Sequence, residues 1–116
     1  MRKWKAQLRP REGKHRQVLS RLAVDPKDAG ALVALYEDHE VEIRAAAVRW
    51  LGKNRELCEE AVHNILVAIG RQAPTYDPRA MDAADWIFQR ADAEARRLRE
   101  ALDTAGNTSL RTGRAM

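Results

Sequence analysis

The sequence predicts an all-α protein: a compact bundle of four to five helices with a long last helix. Three observations carry this. Apolar residues recur at helical spacing along most of the 116 residues, and turn-forming residues fall between those periodic segments. Only one Phe and two Tyr are present while Ala and Leu abound, which favours helix. A chain of this length makes one domain with a modest core.

The elements follow in order. Pro10 and Gly13 interrupt the start of the chain, so ordered helix is expected from about Lys14. The first helix carries Val18, Leu19 and Leu22 on one side and ends before Asp25-Pro26. Asp25 suits the N-cap of the second helix and Pro26 its first position, where the missing N–H would be unpaired anyway. That helix runs to about Asp38 with Leu32, Leu35 and Tyr36 on one face, and His39-Glu40 form a tight junction. The third helix, Val41 to about Lys53, spaces Ile43, Ala46, Ala47 and Trp50 at i, i+3, i+4 and i+7, with Gly52 and Asn54 as stop residues. The fourth, about Arg55 to Arg71, repeats the pattern with Val62, Ile65, Leu66 and Ile69. Gly70 weakens its last turn, and Ala73-Pro74-Thr75 cannot continue it. Asp77-Pro78 opens the last helix by the same logic as Asp25-Pro26. Its stripe of Met81, Ala84, Phe88, Ala91, Ala95, Leu98 and Leu102 predicts about 25 residues, ending at Ala105-Gly106-Asn107.

Charge is distributed unevenly. Residues 1–17 hold seven Lys or Arg against Glu12 alone, the tail adds Arg111 and Arg114, and the body between is net acidic within an overall charge of +4. A basic arm on an acidic body can track phosphates. The expected organisation is a flexible basic arm over 1–13, a helical domain over 14–105 and a disordered tail over 106–116. Apolar residues make up 45% and charged residues 33%, as in a soluble globular protein. No apolar run reaches the roughly 18 residues that span a bilayer. The basic start is not followed by the apolar stretch and cleavage site of a signal peptide. The single Cys58 agrees with a reducing compartment, so the expected location is cytoplasmic, with no membrane partner.

Enzymatic chemistry finds no support. The three histidines are scattered, and Cys58 and His63 fall on different sides of their helix, so no metal is expected. Ser20 is the one serine of the body and has no base at recognisable spacing. There is no Gly-rich phosphate loop and no cofactor is expected.

One ordered series of segments is more specific. Leu35-Tyr36-Glu37, Ala46 to Gly52, Cys58 to Asn64, Tyr76-Asp77-Pro78 and Asp85-Trp86-Ile87-Phe88, taken at that spacing, resemble region 2 of the extracytoplasmic-function sigma factors of bacterial RNA polymerase. The resemblance covers about 70 residues without an insertion. It implies a transcription-initiation domain that binds core RNA polymerase and the melted promoter element. The helix resembling Cys58–Arg71 would grip the beta-prime coiled coil, with Glu59, Glu60, His63, Asn64 and Val67 as contacts. Two carboxylates near the positive end of a helix suit basic groups on a partner. The loop resembling Arg71–Arg79 and the helix after it would hold the non-template strand of promoter DNA. Arg71, Gln72, Arg79 and Arg90 would meet its backbone and Tyr76 would receive an unstacked base. Trp86 belongs to the family's Trp-Leu motif and is expected in the core. The family's second, helix-turn-helix domain has no counterpart here, which implies a partner supplying it, or an anti-sigma regulator. The alternative is a small helical adaptor without DNA binding, either HEAT-like, from Asp38, Ile43-Arg44, Ala47 and Leu51-Gly52, or a regulator that mimics a sigma domain.

Overall fold

Two Asp-Pro pairs decide where helices begin, and both act as turns rather than caps. The computed structural model describes the backbone of residues 12–115 and the side chains of residues 12–105. The first helix, α1, is Glu12–Val24 and buries Val18, Leu19 and Leu22. Gly13 lies in its first turn, so the ordered fold takes in the last two residues assigned to the arm; residues 1–11 of that arm lie outside the described residues.

After α1, the Asp25 carboxylate accepts the Lys27 N–H at 3.0 Å and its carbonyl accepts the Asp28 N–H at 3.0 Å. A short acceptor that bonds two residues on makes a turn, with Pro26 fixing φ at its second position. The cap is Asp28, whose carboxylate accepts the Ala31 N–H at 3.1 Å and pairs with Arg21 at 2.9 Å. α2 therefore spans Ala29–Leu51, starting later than Pro26. It is two rods joined at His39, where φ is −126° and ψ 18°, so the expected junction at His39-Glu40 is present as a kink. The second rod buries Ile43, Ala46, Ala47 and Leu51. Gly52, at φ +73°, closes it by donating its N–H to Val48 O at 2.8 Å, a conformation that only glycine adopts without strain.

Asn54 caps α3, Arg55–Gln72, by accepting the Leu57 N–H at 3.1 Å. The buried line is Cys58, Ala61, Val62, Ile65 and Ile69. Gly70 is there for approach: a Cβ on it would stand 2.8 Å from Pro26 O. A single 3-10 turn, Ala73–Thr75, follows.

The last helix corrects two expectations. The Asp77 carboxylate accepts the Arg79 N–H at 2.9 Å and its carbonyl the Ala80 N–H at 3.0 Å, so Asp77-Pro78 is again a turn. α4 begins only at Ala83 and runs to Ala115. Its backbone passes through the stop expected at Gly106-Asn107; both residues weaken a helix, but neither blocks one as proline would. Its buried residues are Ala83, Trp86, Ile87, Ala91 and Ala95. That line advances in steps of four through Ile87, which turns Phe88 outward to 43% exposure, against the expected place of Phe88 on the inner stripe. Trp86 is buried as expected.

No strand occurs among the described residues, and the fold is an all-α bundle of four helices. The main core joins all four, with Leu19, Leu22, Leu35, Ile43, Ile65, Ile69 and Ile87 fully buried. Each such side chain contributes about 1.5–3 kcal/mol of apolar burial. A smaller cluster of Ala47, Leu51, Cys58 and Ala61 continues it between α2 and α3. The last buried residue of α4 is Ala95, and residues 99–105 are all exposed.

Candidate docking groove and loop

The helical spacing of α3 that buries Ala61, Ile65 and Ile69 leaves Glu60, His63, Asn64, Val67 and Arg71 on its outer side, at i, i+3, i+4, i+7 and i+11. His63, Asn64, Val67, Arg71 and Gln72 form one wall of an open groove of about 580 Å³, and Glu94 and Arg97 of α4 form the other. Five residues that the sequence assigns to two separate roles thus share one surface. Arg97 grips Glu94 with two hydrogen bonds, at 2.6 and 3.0 Å, which raises its pKa and keeps it cationic. Arg71 is exposed and makes no ion pair with another described residue, so its charge is open to a partner.

The remaining residues divide. Glu60 and Asn64 edge a smaller hollow of about 160 Å³ whose floor is apolar: Leu51, Leu57, Ala61, Leu98, Ala101 and Leu102. Glu59 turns the other way, to Arg44 of α2 at 2.8 Å, and Arg44 also donates to the Tyr36 hydroxyl at 2.7 Å. The hydrogen bond and charge of Arg44 hold the Glu59 carboxyl below its ordinary pKa. Arg90 donates to Gln72 Oε1 at 3.2 Å, bridging α4 to the end of α3, while its Nε is buried without a partner.

Tyr76 stands apart from the groove residues. Its hydroxyl donates to Met81 O at 3.0 Å and its ring centre lies 5.5 Å from that of Trp86, tilted by 56°. Burial pushes its pKa up, and the nearby Glu12 carboxylate adds to the shift. Its ring is half-buried and packed against the main core. Arg79 projects into solvent at 93% exposure, 3.6 Å from Asp77.

Several residues of this region carry no signal in sequence. Glu94 and Arg97 join the groove only because α4 packs beside α3. Trp50, which the spacing places on the stripe of Ile43, Ala46 and Ala47, is half-exposed: its Nε1 donates to Asp92 at 2.9 Å, and the guanidiniums of Arg49 and Arg96 lie 5.6 and 5.7 Å from its ring centre. Glu12, one acid amid a basic stretch, is the feature that could have drawn attention; it caps α4. Among the described residues no three His, Cys, Asp or Glu side chains gather as metal ligands, and no helix is long and apolar enough to cross a membrane.

No protein-family model matches the chain, and neither the curated proteins nor the solved structures include a significant match.

Proposed function

We propose that the protein is a docking domain of transcription initiation, similar to sigma region 2, which binds core RNA polymerase through the outer side of α3. The observation that carries this reading is the outward stripe of Glu60, His63, Asn64, Val67 and Arg71 along one helix, with Glu60, His63 and Arg71 exposed and Asn64 and Val67 half-buried, faced by Glu94 and Arg97 across an open groove. A groove between two helices suits a helical partner laid along it, with the polar lips setting register. The beta-prime coiled coil is such a partner. Promoter DNA would lie at the α3 end of the groove, where Arg71 and the exposed Arg79 offer cations to phosphates. A cytoplasmic location, and a partner that supplies upstream promoter recognition or an anti-sigma that blocks the groove, go with this reading.

A second reading, an adaptor that occupies the polymerase without using DNA, is favoured by Tyr76. It is the one aromatic residue of the loop, and its hydroxyl and ring are engaged by Met81 and Trp86. A pull-down with core polymerase, scored with and without forked promoter DNA, separates the two. Polymerase binding that strengthens on forked DNA supports the initiation domain. Polymerase binding indifferent to DNA supports the adaptor, and absence of polymerase binding overturns both.

A further inference from the structure

His39 occupies the kink of α2 and is the one buried polar or charged residue among the described residues, at 6% exposure. Nothing covalent requires a kink there: the local sequence holds no proline or glycine, the usual causes of a broken helix. The ring of His39 turns inward and meets His15 of α1, with ring centres 4.5 Å apart and planes inclined by 54°. The surroundings are poorly satisfied. His15 Nδ1 and Asp38 Oδ2 are both buried without a hydrogen bond, and Lys14 Nζ stands 3.7 Å from Asp38 Oδ2, in ion-pair range only. The charged groups facing the pair are thus Lys14 from α1 and Asp38 and Glu42 from α2. One turn before His15 on α1 lies Glu12, whose carboxylate holds the first N–H of α4.

We propose that His39, packed against His15, is a proton-sensitive latch: neutral, its ring holds α1 on the kink of α2; protonated, it parts from His15, and α1 releases its cap on α4. A neutral imidazole packs as a flat, weakly polar ring, whereas an imidazolium so enclosed lacks water and faces another histidine. Burial pushes the pKa of His39 below its ordinary 6.5, and His15 pushes it the same way, while Glu42 and Asp38 oppose without prevailing. A base whose folded pKa is depressed binds protons more readily in the unfolded chain. Stability is therefore full above pH 6.5 and declines as the pH falls from 6.5 through the folded value. What the latch releases is the start of α4, whose first N–H Glu12 caps. The latch is a property of the fold and does not depend on what the groove binds.

The test is amide hydrogen exchange and a histidine NMR titration on the full chain between pH 7.5 and 5. Exchange at Ala83 and Ala84, corrected for the intrinsic pH dependence, should quicken about ten-fold for each unit by which the folded pKa of His39 lies below 6.5. His39→Phe keeps a ring at the kink and cannot protonate, so that acceleration should vanish. His15→Gln should reduce it, and His63→Gln, on the exposed side of α3, should leave it unchanged. Flat protection at Ala83 across this range, or acceleration that persists in His39→Phe, overturns the latch. If His39→Phe does not fold, the wild-type titration decides: a His39 resonance that titrates at or above 6.5 overturns it, and one that titrates below supports it.

Discussion

Both carboxylate oxygens of Glu12 accept the backbone N–H of Ala83, at 2.8 and 3.1 Å, so the first residue of α1 caps the first residue of α4 across 71 positions of sequence. A helix start leaves N–H groups unpaired and carries partial positive charge, and a carboxylate answers both. Arg16, one turn along α1, holds the same carboxylate at 2.9 Å. Long-range capping of this kind makes the position of α4 depend on α1.

Glu12→Ala should destabilise the protein by about 1 kcal/mol, in the range of a lost N-cap, and lower Tm by roughly 4–8 °C. Burial opposes ionisation of Glu12, but the Ala83 N–H and Arg16 outweigh it and hold the carboxyl below its ordinary 4.5. Its contribution is therefore full above pH 4.5 and is lost as the pH falls through the lower folded value. Thermal melts of the wild type and the variant should differ at pH 7 and converge in strong acid. Equal melts at pH 7 would remove the stabilising role of the Glu12 cap.

Gly70→Ala should destabilise, although alanine is the better helix former by about 1 kcal/mol. The added Cβ would meet Pro26 O at 2.8 Å, a backbone atom held by the Asp25 turn, so α3 must shift or the turn must open. A denaturant titration checks the sign, and an increase in stability would mean that the turn yields freely.

Tyr76→Ala should lower stability by about 2 kcal/mol through lost packing on Trp86, and Tyr76→Phe by about 1 kcal/mol through the unpaired Met81 carbonyl. Neither change should selectively weaken binding to single-stranded promoter DNA. Selective loss of at least ten-fold in Tyr76→Ala, with an unchanged melt, would restore this tyrosine as a base-stacking residue.

The double change Glu60→Lys with His63→Ala should abolish co-purification with core polymerase and leave the helical circular dichroism unchanged, since both side chains are exposed on α3. Glu59→Ala should act differently: its carboxylate is tied to Arg44, so its loss loosens α3 from α2 more than it alters docking. A folded double variant that still binds polymerase removes the docking role of α3.

Helix existence was legible because burial imposes a period. Val18, Leu19 and Leu22, and likewise Val62, Ile65 and Ile69, are apolar at helical spacing and lie in the core. Boundaries were less legible, for a stated reason: an aspartate before proline can cap a helix or close a turn, and the identity of the two residues is the same in both cases. Asp28 and Glu12 settle the matter by supplying the acceptors that α2 and α4 use, and Glu12 does so from the far end of the chain.

What the sequence by itself determined is the helical class, the kink near His39, the outward stripe of α3 and the burial of Trp86. The first three follow from local spacing and from the free energy of moving apolar surface out of water, and the last from the tendency of aromatic side chains to be buried anchors. Only the tertiary structure decided that Glu94 and Arg97 complete the groove, that Tyr76 packs on Trp86 and that His15 meets His39. Those pairings depend on how rigid helices lie against one another, and a contact between two helices leaves no periodic trace in either one.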